Sequence, residues 1–194
     1  MQRAAGLSLT GSTREHILFV LHGSGRNGKT TFLKTIQLLL GTYASTAPPS
    51  LLMVAKNDQH PAQIADLFGR RFVAASETER GGRLNEGLVK SLTGGDQIKA
   101  RRMRENFWEF RPTHKLWLAT NHKPRIAGTD VAIWSRLKLI PFHAQFLEGD
   151  PRRDPGLPDR LAAELPGVLS WAVEGCIAWP VSYTHLTLPT KRIV

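Results

Sequence analysis

Apolar residues fall into short runs separated by clusters of glycine, proline and small polar residues, and the period within the runs switches between that of a strand and that of a helix. Residues 16–21 (HILFVL) form a short, nearly unbroken apolar run, the pattern of a strand buried on both faces. A glycine-rich turn follows. Residues 29–40 then place Phe32, Leu33, Ile36, Leu39 and Leu40 at helical spacing, with Gly41 as the stop. Ala47-Pro48-Pro49 breaks the chain, and residues 50–55 and 62–68 read as short helices. Residues 71–76 (RFVAAS) give a second buried strand. Residues 84–92 give a helix with Leu84, Leu88, Val89 and Leu92 on one face, ended by Gly94-Gly95.

Residues 97–103 and 106–111 read as two strands facing each other across a tight turn at Arg104-Glu105. Residues 115–120 (KLWLAT) form another core strand, 130–136 a helix and 137–142 a strand. A proline-rich connector spans 150–158, and a helical segment over 161–179 is expected to bend at Pro166-Gly167. Strands alternating with helices predict an α/β domain with a central, mostly parallel sheet flanked by helices and an inserted β-hairpin.

The turn after the first strand carries the most specific chemistry. Gly23-Ser24-Gly25-Arg26-Asn27-Gly28-Lys29-Thr30 satisfies the phosphate-loop pattern in full, with an apolar strand before it and an amphipathic helix after it. Glycines allow the backbone to fold into a nest of N–H groups, and the helix N-terminus adds its positive dipole end. Residues Gly23 to Thr31 are therefore the candidate nucleotide-binding set. Lys29 is expected to reach the β- and γ-phosphates of ATP, and Thr30 to ligate Mg²⁺. Glu77 follows the next apolar strand, with Glu79 two residues on. One carboxylate there can hold the Mg²⁺ shell and the other can polarise the attacking water. We assign Glu77 to the metal and Glu79 to the base, although their roles are interchangeable on sequence grounds. Asn121 ends the 115–120 strand, where an amide can orient the lytic water; the plainer reading is an Asn opening a turn before Pro124.

Composition changes the picture in one respect. Of 194 residues 41% are hydrophobic, ordinary for a globular chain, but the net charge is +10. A basic balance favours a polyanionic partner. The charge has a focus: Lys99, Arg101, Arg102, Arg104 and Arg111 crowd the predicted hairpin, offset by Glu105 and Glu109 and interleaved with Phe107, Trp108 and Phe110. Cations there can neutralise phosphates, and the aromatics can either pack the hairpin or stack on bases. Cys176 is the only cysteine, which excludes an internal disulfide and fits a reducing cytoplasm. No apolar run approaches the ~20 residues of a membrane span.

The order of these stretches resembles the C-terminal helicase domain of phage- and plasmid-type DNA primases, a branch of the superfamily III helicases within the AAA+ P-loop ATPases. The resemblance rests on GSGRNGKTTF, RFVAASETE, LVKSLTGGDQIKAR, FRPTHKLWLATNHKP and IWSRLKLIPF, and covers nearly everything from Ser8 to Trp179. It implies ATP-driven unwinding of single-stranded or forked DNA by a ring-shaped homo-hexamer, in the cytoplasm of a bacterium hosting a phage, prophage or plasmid. It places Lys29 and Thr30 on the Walker A pair, Glu77 in the Walker B stretch and Asn121 on a sensor position. Arg136 falls on an arginine finger that enters a neighbouring subunit's site; Ser135 stands where many relatives carry a basic residue. A DNA-tracking hairpin is implied around Lys99, Arg101, Arg102 and Arg104, with Lys90 in an adjoining motif.

Other classes share the phosphate loop. A P-loop kinase, a loader or initiator ATPase that does not unwind DNA, and a DNA-binding module with a dead nucleotide site all stay open on the pattern alone. Residues 1–180 are expected to form the ATPase domain, truncated at both ends. Residues 181–194 lack apolar periodicity and acidic side chains, and Ser182 to Leu186 back-translate to a sequencing-adapter end. We read that tail as non-native.

Overall fold

The computed structural model describes residues 1–54, 61–77 and 82–179. The expected tail at 181–194 and the candidate base Glu79 lie outside the described residues, and Glu77 is described by its backbone alone. In chain order the elements are α1 (Gln2–Ser8), β1 (Leu18–His22), α2 (Lys29–Leu40), β2 (Ala44–Ala47), α3 (Pro61–Ala65), β3 (Phe72–Glu77) and α4 (Glu86–Thr93). There follow β4 (Ile98–Ala100), β5 (Trp108–Phe110), β6 (Lys115–Thr120), α5 (Val131–Arg136), β7 (Leu137–Pro141), α6 (Leu157–Ala163) and α7 (Leu165–Ile177).

Five strands form one parallel sheet in the order β2-β3-β6-β1-β7, and β4 pairs antiparallel with β5 as a separate hairpin. This is the expected α/β architecture. Alternate residues of each central strand serve opposite faces, as the two-residue period requires. Leu18, Val20, Val73, Ala75, Leu116 and Leu118 enter one core, shared with Val89 and Leu92 of α4 and Ile98 and Phe110 of the hairpin. Phe19, Leu21, Phe72, Ala74 and Trp117 enter the other, beneath α1, α2 and α7. Trp117 is fully buried, its ring centroid 4.4 Å from Phe19 and 5.3 Å from Phe72, and its indole N–H donates to Ser8 Oγ at 3.1 Å.

Several boundaries differ from expectation for local physical reasons. The hairpin strands are three residues each rather than seven and six, because 101–107 is an exposed loop with no face to bury. The 161–179 segment is two helices meeting at Glu164, and Pro166 sits in the first turn of α7, where its missing N–H breaks no helical bond. Of the expected 50–55 helix, the described residues 50–54 give only a 3-10 turn at Pro49–Leu51. The sequence pattern gave no sign of α1. It packs on α7 through glycines: a Cβ on Gly6 would lie 2.2 Å from Cys176 N, and one on Gly175 2.2 Å from Gln2 O.

Candidate functional site

The parallel sheet brings the C-terminal ends of β1, β3 and β6 to one edge. In register, His22 pairs with Thr120 and Thr120 with Glu77, so the residues that follow these strand ends start from one line. The phosphate loop leaves β1 at Gly23 and ends at Gly28, the N-cap of α2, whose φ of 86° lies in the left-handed region that favours glycine. Arg26 also has positive φ, at 60°. Ser24, Gly25, Arg26 and Thr30 are exposed, whereas Asn27 and Lys29 are buried. A Cβ at Gly25 or Gly28 would meet nothing within 4 Å.

Lys29 is the centre of the arrangement. Its ammonium donates to Gly23 O at 2.5 Å, Asn27 Oδ1 at 3.0 Å and Asn121 Oδ1 at 3.1 Å, using all three N–H donors. Burial holds its pKa below the ordinary lysine value. Asn121 thus stands beside the loop lysine. The surroundings are basic. His22 is pushed below its usual range first by burial and then by the positive charges of Lys123, Lys29, His122 and His143. Such a field attracts an anion.

A brace not legible in the sequence holds the loop from the far side. Asn27 Nδ2 donates to Phe142 O at 3.2 Å, Phe142 N to His22 O at 2.7 Å and Phe146 N to Arg26 O at 2.8 Å. Gln145 Nε2 donates to Gly25 O at 3.3 Å. These are mostly backbone partners, which leave no residue-type signature. Beside the cradle an apolar cavity of about 420 Å³ opens between α2 and the α6–α7 pair, lined by Thr31, Phe32, Ile36, Leu161, Val168 and Trp171. The residues present fit a nucleoside triphosphate with its Mg²⁺: a glycine-rich loop with positive φ at Arg26 and Gly28, a buried ammonium on Lys29, an exposed first-turn hydroxyl on Thr30, and Glu77 at the end of β3.

Arg136 is not part of this cluster. It precedes Leu137, which pairs with Leu18 at the start of β1, while the cradle follows the end of that strand. A five-residue strand puts roughly 16 Å between the two ends. Arg136 Nε donates to Thr93 Oγ1 at 3.2 Å, Nη1 to Ala132 O at 2.7 Å, and Nη2 lies 3.3 Å from His16 Nδ1.

The basic hairpin divides by role. Phe110 is buried, and Trp108 packs on it with a centroid separation of 5.1 Å; Phe68 meets both rings edge-on. Lys99, Arg101, Arg102 and Arg104 are exposed, as is Phe107, over which sit Arg101 at 4.7 Å and Lys99 at 5.3 Å. Lys90 lies on α4, ion-paired with Asp130. No helix among the described residues is long and apolar enough to cross a membrane.

Comparison with known proteins agrees with this architecture. The chain is 33% identical over 142 residues to "Putative helicase L207/L206" of Acanthamoeba polyphaga mimivirus, covering 72% of this chain and 15% of that protein. It is 28% identical over 151 residues to "Putative helicase 022R" of Frog virus 3, and 28% identical over 148 residues to "Putative primase C962R" of African swine fever virus; each alignment covers 75% of this chain, but only 16% and 15% of the respective relatives. These relatives are viral proteins, of neither the phage nor the plasmid kind to which the motifs pointed. Among solved structures, the NrS-1 C-terminal region superposes with a TM-score of 0.64 at 12% identity, over 89% of this chain and 40% of that one, which supports the fold. The model of the family described as "Family of unknown function (DUF5906)" matches residues 21–136, from the end of β1 through Arg136 and more than half of the sequence. The chain therefore belongs to the DUF5906 family.

Proposed function

We propose that this chain is the ATP-hydrolysing motor of a DNA helicase of the primase-helicase type, acting on single-stranded or forked DNA. The observation that carries the reading is the contact between Lys29 Nζ and Asn121 Oδ1. It joins a complete phosphate loop to an amide at the neighbouring strand tip, where the terminal phosphate of ATP would lie. In this reading Lys29 leaves its present acceptors for the β- and γ-phosphates, and Asn121, freed, orients the attacking water. Thr30 and Glu77 would hold Mg²⁺, which neutralises charge on the phosphates. Glu79, or Glu77 in its place, accepts the water's proton. The apolar cavity beside Thr31 and Trp171 takes the nucleobase.

Arg136 lies a strand's length from its own cradle, which supports its acting on a neighbouring copy in an AAA+-like ring, a hexamer by analogy with the resemblance. Lys99, Arg101, Arg102 and Arg104 follow the DNA backbone, and Phe107 offers a stacking face. The names of the viral relatives, putative helicases and putative primases, support a place in replication.

The test is phosphate release by the full-length protein with and without single-stranded DNA, and by a mixture of Lys29→Ala and Arg136→Ala proteins. DNA-stimulated hydrolysis, lost in each variant and partly rescued on mixing, supports the motor. Transfer of the phosphate to a small acceptor without DNA stimulation supports a P-loop kinase instead. Hydrolysis on DNA without strand separation supports a loader or initiator ATPase.

A further inference from the structure

Helix α4 meets the segment between Asn121 and β7 along a single row of side chains. Glu86 accepts from Ala127 N and Gly128 N, both at 2.9 Å; Lys90 pairs with Asp130; Thr93 Oγ1 accepts from Arg136 Nε at 3.2 Å. Spacings of four and three put Glu86, Lys90 and Thr93 on one helix face. The fit is close: a Cβ on Gly128 would stand 2.2 Å from Glu86 Oε2. Backbone bonds extend the seam, with Leu84 N donating to Arg125 O at 2.9 Å and Arg125 N to Gly82 O at 2.8 Å. On another face of α4, Val89 and Leu92 share a core with Ile98, Ala100 and Phe110 of the hairpin. Only residues 94–97 separate α4 from β4.

One short helix therefore grips a segment that begins at the candidate sensor and ends at the candidate finger, and it carries the basic hairpin on its other side. We propose that the Glu86–Lys90–Thr93 row transmits movement of the 121–136 segment to the hairpin, with Lys90 acting through Asp130 as a positioning residue and not as a DNA ligand. The proposal rests on the motor reading above. A solvent-exposed ion pair adds little to stability, so the pair can be cut without unfolding the domain. A transmitting contact is recognised by its effect on the coupling between two sites.

The experiment measures basal hydrolysis, DNA-stimulated hydrolysis and single-stranded DNA affinity in the full-length protein. The variants are Asp130→Asn, Lys90→Met, the double variant and Lys90→Arg. Asn at position 130 preserves the cap that Asp130 Oδ1 gives to Ala132 N. For Asp130→Asn, basal hydrolysis and DNA affinity stay as in the native protein, while stimulation falls about fivefold or more, the lower end of ordinary coupling between sites. Lys90→Met loses the same stimulation, the double variant loses no more than either, and Lys90→Arg restores it. Full stimulation in Asp130→Asn overturns the proposal. So does weaker DNA binding in Lys90→Met alone, which would make Lys90 a DNA ligand. Absence of DNA stimulation in the native protein removes the motor reading and this proposal together, whereas native stimulation matched by all variants removes this proposal alone.

Discussion

The ammonium of Lys29 lies 3.1 Å from the amide oxygen of Asn121, although 92 positions of sequence separate the two residues. Parallel pairing of β1 with β6 makes the meeting possible: Leu18 aligns with Leu116 and His22 with Thr120, so the next residue of each strand emerges at the same edge. A chance glycine-rich turn has no need of a buried lysine, and a turn-forming Asn before Pro124 has no need to face one.

Replacing either partner separates their roles. Lys29→Ala removes the buried ammonium at the centre of the cradle and is expected to abolish both tight nucleotide binding and hydrolysis. Asn121→Ala keeps nucleotide affinity within a few fold but lowers kcat by about 10²- to 10³-fold, the usual effect of removing one preorganised polar group. Fluorescent-nucleotide titration beside phosphate release distinguishes the two. Equal loss of affinity in both variants would contradict the division of labour.

Gly23 and Gly25 sit two residues apart in the loop yet differ in tolerance. A Cβ at Gly23 would approach Phe142 O to 2.2 Å and Asn27 Nδ2 to 2.6 Å, whereas one at Gly25 meets nothing within 4 Å. Gly23→Ala should therefore cost about 1–3 kcal/mol through overpacking and loosen the brace between the loop and Phe142. In a chain of this size that lowers Tm by roughly 2–12 °C. Gly25→Ala leaves Tm unchanged. Thermal unfolding of the two variants checks the brace directly.

Hairpin aromatics divide between fold and ligand. Phe110→Ala opens a cavity in a core shared with Ile98 and Leu92 and costs about 3–5 kcal/mol of stability. Phe107→Ala leaves stability unchanged and weakens single-stranded DNA binding by about 1–3 kcal/mol if its face stacks on a base. Arg101→Ala weakens binding and reduces the salt dependence of affinity, because one phosphate contact is lost. Affinity measured across a salt series reports both effects.

Acid sensitivity should come from the buried imidazole of His114. Burial, reinforced by the charge of Lys115, pushes its pKa down to about 4 from the ordinary 6.5. The unfolded chain therefore takes up this proton first as pH falls. The contribution leaves stability untouched above pH 6.5 and lowers it between 6.5 and 4, by roughly 3 kcal/mol across the window. Urea unfolding of the native protein and of His114→Phe at pH 7.5 and 4.5 checks this, since the aromatic replacement should flatten the difference.

What the sequence revealed follows from what each element is made of. Lys29–Leu40 and Lys115–Thr120 have their predicted bounds because a strong apolar period, or a run buried on both faces, fixes them. β2 escaped notice because Ala44–Ala47 has no apolar run and owes its strand form to pairing with β3. α1 escaped because close packing through Gly6 and small neighbours writes no 3.6-residue pattern of large side chains. Within the site, the phosphate loop was legible because its glycines and lysine are required by chemistry. The Asn27–Phe142 brace and the Lys90–Asp130 pair were not, since one uses a backbone carbonyl and the other joins residues 40 apart.

Strand separation tests the central claim most directly. The full-length protein, given a forked DNA duplex with ATP and Mg²⁺, should release the displaced strand. It should do so neither without ATP nor when Lys29→Ala replaces the native chain. Turnover of ATP at one rate with and without DNA, and no strand displaced on any fork, would contradict the account.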